Sequence, residues 1–211
     1  MKKILLASAL AVVILLSATA FGVLVLHTND TLYKADVRLL GLTWQTGMDE
    51  NEIMDNYHAV MDYLSPFHKG EFSLPSLTFS ESGAYHFYET RNIFTALYIS
   101  GAVSFVLMIL MLIKLKKRAD FRKILGISGI LTLIIPIVLL IVIAVDFNAA
   151  FIVFHKLFFN NDMWIFDPRL DPVINILPWQ FFMHCGIFIG SLWIISALVQ
   201  LGIYVKGRKR G

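Results

Sequence analysis

The sequence lacks the residues on which several classes of enzyme depend. Cysteine occurs once in 211 residues, at Cys185, which excludes an internal disulfide and a CxxC redox centre. No HExxH motif is present, which argues against a zinc metalloprotease. No GxSxG motif is present either, which argues against a serine hydrolase with a nucleophile elbow, and nothing resembles a P-loop. What remains is chemistry based on histidine, or a binding role without chemistry.

Charge is missing from four long apolar runs. They cover residues 4–26, 93–113, 124–145 and 185–205, and none contains Asp, Glu, Lys or Arg. About 20 apolar residues in a helix cross a bilayer core roughly 30 Å thick, and in lipid each segment must satisfy its own backbone polar groups. Because 57% of the chain is hydrophobic, the sequence predicts an all-α membrane protein, with four transmembrane helices in a single membrane domain.

The distribution of charge predicts the orientation of the spans. Most Lys and Arg residues flank the spans on one side, where Asp120 is the only acid, whereas the connections 27–92 and 146–184 hold 14 of the 15 acids. The positive-inside rule then places both termini and the loop 114–123 in the cytoplasm and the two acidic connections outside. The net charge of +3 therefore reflects topology and indicates no nucleic-acid partner. The basic flanking residues are Lys2, Lys3, Lys114, Lys116, Lys117, Arg118, Arg122, Lys123, Lys206, Arg208, Lys209 and Arg210.

The N-terminus has one feature of a secretory signal. Two lysines precede the first apolar run, and Ala18-Thr19-Ala20 fits an A-x-A cleavage site. The apolar run continues beyond this site to Leu26, which makes it long for a signal peptide. We therefore expect the first run to remain as a span.

The first outer segment, 27–92, is predicted to contain one amphipathic helix over 49–64, which Pro66 ends. Acidic residues at its start complement the positive end of the helix dipole. Its apolar face is expected to lie on the membrane surface or on the rest of the domain. Thr78 or Ser80 is predicted to cap a second helix that continues into the second span. The apolar positions of the first helix are Ile53, Tyr57, Val60, Met61 and Leu64.

The second outer segment, 146–184, begins with an apolar stretch and continues with polar residues placed among aromatic ones. Its start, Phe147–Phe159, is too short to span and too apolar for a free loop, which predicts an interfacial or re-entrant helix. Polar residues then alternate with Trp and Phe, and such groups at membrane depth indicate a site. Next to this segment, Gly186-x-x-x-Gly190 predicts a close helix approach, and Gln200 predicts an interhelical hydrogen bond.

All six histidines lie in the outer segments or at their edges. His155 lies in an apolar run, where desolvation favours the neutral imidazole, and a neutral imidazole can act as a general base. His86 lies among aromatic residues just before the second span. Each also has an ordinary explanation, since His155 can bind the backbone at an interface and His86 can belong to an aromatic belt. The other four are His27, His58, His68 and His184.

Two patterns in the outer segments resemble those of a known family. The longer reads Phe154-His155-x-x-Phe158-Phe159-x-Asn161-Asp162-x-Trp164-x-Phe166-Asp167-Pro168-x-x-Asp171-Pro172. The shorter, Glu81-x-x-x-x-His86-x-x-Glu89-x-Arg91, precedes the second span. With the span order and the loop sizes, these patterns resemble the lipoprotein intramolecular transacylases, or Lit, of Gram-positive bacteria.

This resemblance implies an acyltransferase in the bacterial cell membrane, with its active site on the extracytoplasmic face. The implied substrate, held among membrane lipids, is a lipoprotein with a diacylglyceryl-modified N-terminal cysteine. The implied reaction moves the sn-2 acyl chain to the α-amino group of that cysteine, which gives the N-acyl-S-monoacylglyceryl, or lyso-form, lipoprotein. No cofactor and no metal is expected, although two histidines and an aspartate would equally suit a metal.

Aminolysis of an ester needs a base for the amine, a donor for the oxyanion and an acid for the departing alkoxide. We assign the base to His155 and the electrostatic partner to His86, and the reverse assignment stays open. The aspartates are expected to orient an imidazole, the arginine to stabilise the oxyanion or to snorkel, and the aromatic residues to line an acyl groove. The supporting residues are Asp162, Asp167, Glu81 and Arg91, and the lining residues are Trp164, Phe158, Phe159 and Tyr85.

Two other functions explain part of the same sequence. A non-catalytic membrane protein that binds lipid or lipoprotein, such as a chaperone or sensor, accounts for the topology and the aromatic belts equally well. A histidine-dependent membrane phospholipase would use the same two histidines but would admit water. The three functions differ in whether an acyl chain moves and in which acceptor receives it.

Overall fold

The structure, a computed structural model, describes residues 1–208. Lys209 and Arg210, two of the basic residues behind the predicted topology, lie outside the described residues. Regular structure in the described part is helical throughout, with no strand. The helices are α1 (Lys2–Thr28), α2 (Thr31–Leu39), α3 (Leu42–Thr46), α4 (Glu50–Leu64), α5 (Glu81–Lys116), α6 (Phe121–Val145), α7 (Phe147–Phe158), α8 (Val173–Ile176) and α9 (Trp179–Arg208).

Four helices are long and apolar enough to cross a membrane, namely α1, α5, α6 and α9. Only 11% to 33% of the residues in their most apolar windows are buried, so most of these apolar side chains need lipid as their solvent. The prediction of an all-α protein with four membrane-type helices is confirmed. The four predicted spans lie within these helices, and α5 begins at Glu81, well before the apolar run at 93–113.

The chain forms two compact units. The span unit comprises residues 1–24, 97–147 and 186 onward. The histidine unit comprises residues 25–96 and 148–185, and it contains all six histidines.

Close helix contacts in the span unit involve glycines other than the predicted pair. A Cβ added at Gly101 would overlap the Cβ of Ala20, and one added at Gly22 would lie 3.0 Å from the Cγ1 of Ile189. At Gly186 and Gly190 an added Cβ would meet no described atom within 4 Å, so the predicted close approach there is wrong. The reason is that α9 presents the side chain of Ile189, rather than its glycines, to α1.

One buried polar side chain in the span unit forms a hydrogen bond between helices. Gln200 is buried, and its Nε2 donates to the Oγ1 of Thr132 at 3.4 Å and to the carbonyl of Ser196 at 3.1 Å. This contact confirms the predicted interhelical hydrogen bond, since Thr132 belongs to α6 and Gln200 to α9.

The histidine unit is built around the buried face of α4. The carboxylate of Asp49 accepts the N–H of Glu52 at 2.8 Å, which caps the helix as its acidic start predicts. The apolar face packs into an aromatic core, where Tyr57 stacks on Tyr33 with ring centroids 3.7 Å apart. The apolar face was expected to lie on the membrane surface or on the rest of the domain, and the structure places it against the rest of the domain.

Helices α2 and α3 were not predicted from the sequence. Tyr33 and Val37 lie one turn apart on α2 and are fully buried, whereas its other residues are mostly polar or exposed. Two buried apolar residues in a short helix give too weak a period to stand out from a loop. The tertiary contacts of Tyr33, whose hydroxyl donates to the carbonyl of Ile176 at 2.7 Å, stabilise the helix.

The start of α5 depends on a buried aspartate from the second outer segment. Ser80 caps the helix, as predicted, because its Oγ accepts the N–H of Gly83 at 2.9 Å. The N–H and Oγ–H of Ser80 in turn donate to the carboxylate of Asp171 at 2.8 and 2.7 Å. Thr78 is not the cap, since its hydroxyl is 3.4 Å from the carbonyl of Leu170. Asp171 thus joins the two outer segments just before His86.

Substitution of Gly83 by Ala tests this junction. An added Cβ would overlap the Asp171 carboxylate, so the hydrogen bonds of Ser80 must lengthen or break. We expect a cost of about 1–3 kcal/mol in unfolding free energy, measured as a lower melting temperature in detergent. Gly186→Ala is the matched control, since this glycine is also helical and its Cβ would enter open space. Equal melting temperatures for the two variants would contradict the account.

Candidate active site

The structure brings together the two histidines singled out from the sequence. His86 lies near the start of α5, and His155 lies on α7. Their ring centroids are 5.9 Å apart, and the ring planes are inclined by 35°. Two imidazoles from separate outer segments thus form one pair inside the histidine unit.

The surroundings of His155 fix its tautomer and favour its neutral form. Its Nδ1 is 2.8 Å from the carbonyl of Phe151. A carbonyl can only accept a hydrogen bond, so Nδ1 carries the proton and Nε2 keeps a lone pair. The residue is only 9% exposed, with Trp164 stacked on it at 4.6 Å and Phe159 at 5.6 Å. This burial lowers the pKa of His155, and the hydrogen bond to Phe151 offsets only part of that effect.

The surroundings of His86 favour the opposite tautomer. Its Nδ1 is buried and has no hydrogen-bond partner among residues 1–208. A bare Nδ1 avoids burying an unpaired N–H, so the proton belongs on Nε2. Aromatic rings surround the imidazole, with Phe159 at 4.6 Å and Phe166 at 5.4 Å between ring centroids. The pair therefore combines one acceptor nitrogen on His155 with one donor nitrogen on His86.

Helix α7 is the short apolar helix predicted for this segment. His155 is on its buried side, whereas Val153 and Leu157 are 64% and 76% exposed. Phe154 and Phe158 are also exposed and pack on each other at 4.8 Å. This amphipathic arrangement suits an interface between protein and lipid, and the interfacial position stays a prediction.

A side-chain amide joins the turn after α7 to α5. The Nδ2 of Asn161 donates to both carboxylate oxygens of Glu89, at 2.9 and 3.1 Å. The backbone carbonyl of Asn161 accepts the indole N–H of Trp164 at 3.0 Å. Both residues belong to the patterns noted in the sequence, but neither was assigned a role there.

The two aspartates expected to orient an imidazole do not contact one in the structure. The carboxylate of Asp167 binds Arg169, with Oδ2 2.7 Å from Nη2, and the orienting role of Asp167 stays a prediction. The arginine two residues away in the same turn is the closer and stronger partner. Asp162 is exposed, and no hydrogen bond within the described chain joins it to either histidine. The carbonyl of Phe151 takes the orienting position at His155.

Arg91 is also directed elsewhere. Its guanidinium donates to the carbonyl of His68 and lies over the ring of Tyr63, 5.4 Å from the centroid. These contacts hold the loop after α4 against α5. These contacts stabilise the unit, and the oxyanion role of Arg91 stays a prediction.

Of the remaining predicted residues, two contact the histidine pair and three are exposed. Trp164 and Phe159 contact the histidine pair, as expected of lining residues. Glu81 is exposed at the first residue of α5, Tyr85 is exposed beside Tyr88, and Phe158 is on the exposed side of α7. Within residues 1–208, no three His, Cys, Asp or Glu side chains are grouped so as to hold a metal.

Comparison with known proteins agrees with the fold. The family described as lipoprotein intramolecular transacylase Lit matches residues 5–182. The in meso structure of Lit from Bacillus cereus is 31% identical, covers 100% of this chain and 99% of its own, and has a TM-score of 0.89.

Two further structures of the Bacillus cereus protein carry an arginine or an alanine in place of one histidine. Both are 31% identical, have TM-scores of 0.82 and cover 99% and 100% of this chain, and 94% and 96% of their own. No curated protein matches the chain. The family match, the full-length structural similarity and the four apolar helices lead to one conclusion: the chain belongs to the lipoprotein intramolecular transacylase (Lit) family and is an integral membrane acyltransferase.

Proposed function

We propose that this protein moves the sn-2 acyl chain of an S-diacylglyceryl-cysteine to the α-amino group of the same cysteine in a bacterial lipoprotein. The product is the N-acyl-S-monoacylglyceryl, or lyso-form, lipoprotein. The observation that carries the proposal is the pair of His86 and His155, 5.9 Å apart and enclosed by aromatic rings.

The two tautomers divide the work of the reaction. The amine nitrogen attacks the ester carbonyl carbon, and the Nε2 of His155 takes a proton from the amine as the C–N bond forms. The Nε2–H of His86 donates a hydrogen bond to the developing oxyanion. When the ester C–O bond breaks, the imidazolium of His155 returns the proton to the departing glyceryl oxygen. One amide and one hydroxyl replace one amine and one ester, so the mass of the neutral lipopeptide is unchanged.

The aromatic enclosure favours transfer over hydrolysis. Phe159 contacts both imidazoles, Trp164 covers His155 and Phe166 covers His86. These rings keep water from the ester, so the tethered amine is the nucleophile available to it. Because donor and acceptor belong to one molecule, holding them together supplies much of the rate acceleration.

The substrate is anchored by its lipid, which places the reaction at membrane level. The acyl chains pack on the exposed apolar side of α7, which includes Val153 and Leu157. The opposite, buried side of the same helix carries His155. The acidic outer segments belong on the extracytoplasmic face by the positive-inside rule, which is also where lipoproteins are displayed.

Mass spectrometry of a lipopeptide tests the proposed reaction. The protein is expressed in a bacterium that cannot N-acylate its lipoproteins, beside His155→Ala, His86→Ala and His58→Ala at matched abundance. We expect the wild type and His58→Ala to move one acyl chain to the amine at unchanged mass. His58 is the control because it is exposed and pairs with Asp30.

Removal of a general base or an oxyanion donor typically costs about 10²–10³-fold in rate, so His155→Ala and His86→Ala should leave the amine free. Loss of one acyl chain from the lipopeptide would instead assign a phospholipase. A free amine with both chains retained in the wild type would favour a lipid-binding role.

The pH dependence of the rate tests the role of His155. A base with a lowered pKa stays neutral until the pH falls below the ordinary histidine value of about 6.5, so the fall in rate caused by His155 should occur only below that pH. Protonation of the substrate amine, whose ordinary pKa is about 8, causes a separate fall at higher pH. Trp164→Ala admits water to the imidazole, which should raise the pKa and move the acid limb to higher pH. Single-turnover rates in detergent measure both. The substrate amine titrates identically in the two proteins, so coincident acid limbs would rule out His155 as the titrating base.

Cysteine labelling in whole cells tests the orientation. In a Cys185→Ala background, single cysteines replace Asn160 in the turn after α7 and Lys117 in the loop between α5 and α6, both exposed positions. A membrane-impermeant maleimide should label the cysteine at 160 in intact cells, and the one at 117 only after permeabilisation. The reverse pattern would place the histidine pair in the cytoplasm.

A further inference from the structure

We propose that Glu89 and Asn161 form a positioning pair that holds Trp164 against His155. In this position Trp164 keeps water from the two imidazoles and maintains the distance between them. This inference rests on the proposed function and assigns roles to two residues that do not themselves touch the reacting groups. It is carried by a continuous chain of contacts from α5 to the ring of His155.

The chain of contacts begins on α5. Glu89 lies three residues after His86, so the two side chains project from the same side of the helix. Both oxygens of its carboxylate accept from the Nδ2 of Asn161, at 2.9 and 3.1 Å. No lysine, arginine or histidine pairs with Glu89 in the described part of the chain, so Asn161 is its polar partner.

Asn161 uses each of its polar side-chain groups and its carbonyl in this arrangement. While Nδ2 binds Glu89, Oδ1 accepts the N–H of Met163 at 2.9 Å and folds the turn. The backbone carbonyl accepts the indole N–H of Trp164 at 3.0 Å. These bonds also fix the orientation of the amide, since Oδ1 could not donate to a carboxylate.

The last contact reaches the base. The indole of Trp164 stacks on His155 at 4.6 Å between centroids, with the planes 30° apart. The imidazole is thereby held among three rings, those of Trp164, Phe159 and His86. A shift of the indole would admit water and change the distance between the histidines, and small displacements of this kind are costly to rate.

The pair is local, which separates its role from general stability. The segment that carries Asn161 is tied to α5 a second time, where Asp171 binds Ser80. Loss of the Glu89–Asn161 contact therefore frees the turn that contains Trp164, while the far end of the segment stays attached.

Four variants test the proposal, namely Asn161→Ala, Glu89→Ala, Glu89→Gln and the control Asn160→Ala. Asn160 is exposed and adjacent, and it makes no hydrogen bond within the described residues. We expect Asn161→Ala and Glu89→Ala to lower kcat about tenfold or more with KM little changed, since positioning rather than lipid binding is lost. Glu89→Gln should retain most of the rate, because its Oε1 still accepts from the Asn161 amide.

The pH profile gives a readout that a purely structural role would not move. Asn161→Ala changes no charge, so a hydrated imidazole should shift the acid limb of the rate to higher pH, as expected for Trp164→Ala. The titratable or charged groups around His155 are His86 on α5, Glu89 beyond Asn161, the exposed Lys156 on α7, and Asp162 and Asp167 in the loop; all are unchanged in this variant.

A second measurement does not depend on activity. Diethylpyrocarbonate modifies accessible neutral imidazoles, and peptide mass spectrometry follows His155 with the exposed His58 as internal reference. Modification of His155 should be faster in Asn161→Ala than in the wild type or Asn160→Ala, at similar melting temperatures.

Each outcome has a distinct meaning. An Asn161→Ala protein with wild-type rate, acid limb and His155 reactivity would overturn the positioning role while the proposed function stands. A Glu89→Gln variant as slow as Glu89→Ala would overturn it too, because the negative charge rather than the tether would then matter. If the wild type moves no acyl chain, the proposed function fails, and faster modification of His155 in Asn161→Ala would still support the tether.

Discussion

The histidine unit depends on the hydrogen bonds made by polar groups that are buried with its aromatic residues. An unpaired buried polar group costs about 1–3 kcal/mol, so a buried group that finds a partner fixes a contact. Here these contacts join segments that are distant in sequence. The hydroxyl of Tyr33 binds the carbonyl of Ile176, and Asp171 binds Ser80 at the start of α5. The position of the site follows from these few bonds together with the aromatic packing around them.

Hydrogen bonding also gives the two histidines different properties. His155 has a backbone carbonyl as its partner, so its proton is on Nδ1 and its basic nitrogen remains free. His86 has no partner for Nδ1, which favours a proton on Nε2. No carboxylate orients either ring among the described residues, which distinguishes the pair from a triad that contains an aspartate. A backbone carbonyl adds no negative charge, so this buried pair has no anionic partner that would favour an imidazolium.

The four membrane-type helices could be predicted from the sequence, and His86 and His155 could be singled out, because both kinds of signal are local. Long runs without charge and the setting of His155 can be read without knowing the fold. The roles of the acids could not be predicted, because a carboxylate takes the partner that folding brings to it. Asp167 binds Arg169 at the surface, whereas Asp171, which was given no role from the sequence, is buried and holds the start of α5. The Gly186–Gly190 spacing failed for a related reason, since spacing does not specify which side of a helix meets its neighbour.

The central claim is that the acyl chain stays within one substrate molecule, and a crossover measurement tests it most directly. The purified protein is given an equal mixture of two diacylglyceryl lipopeptides, one with a deuterated sn-2 chain and the other with a heavy-isotope peptide. The account predicts that every N-acylated product keeps its own chain, so no product carries both labels. Products with both labels, or with neither, at the statistical proportion would show transfer between molecules. They would contradict a site in which the histidine pair acts on a single lipopeptide shielded from water.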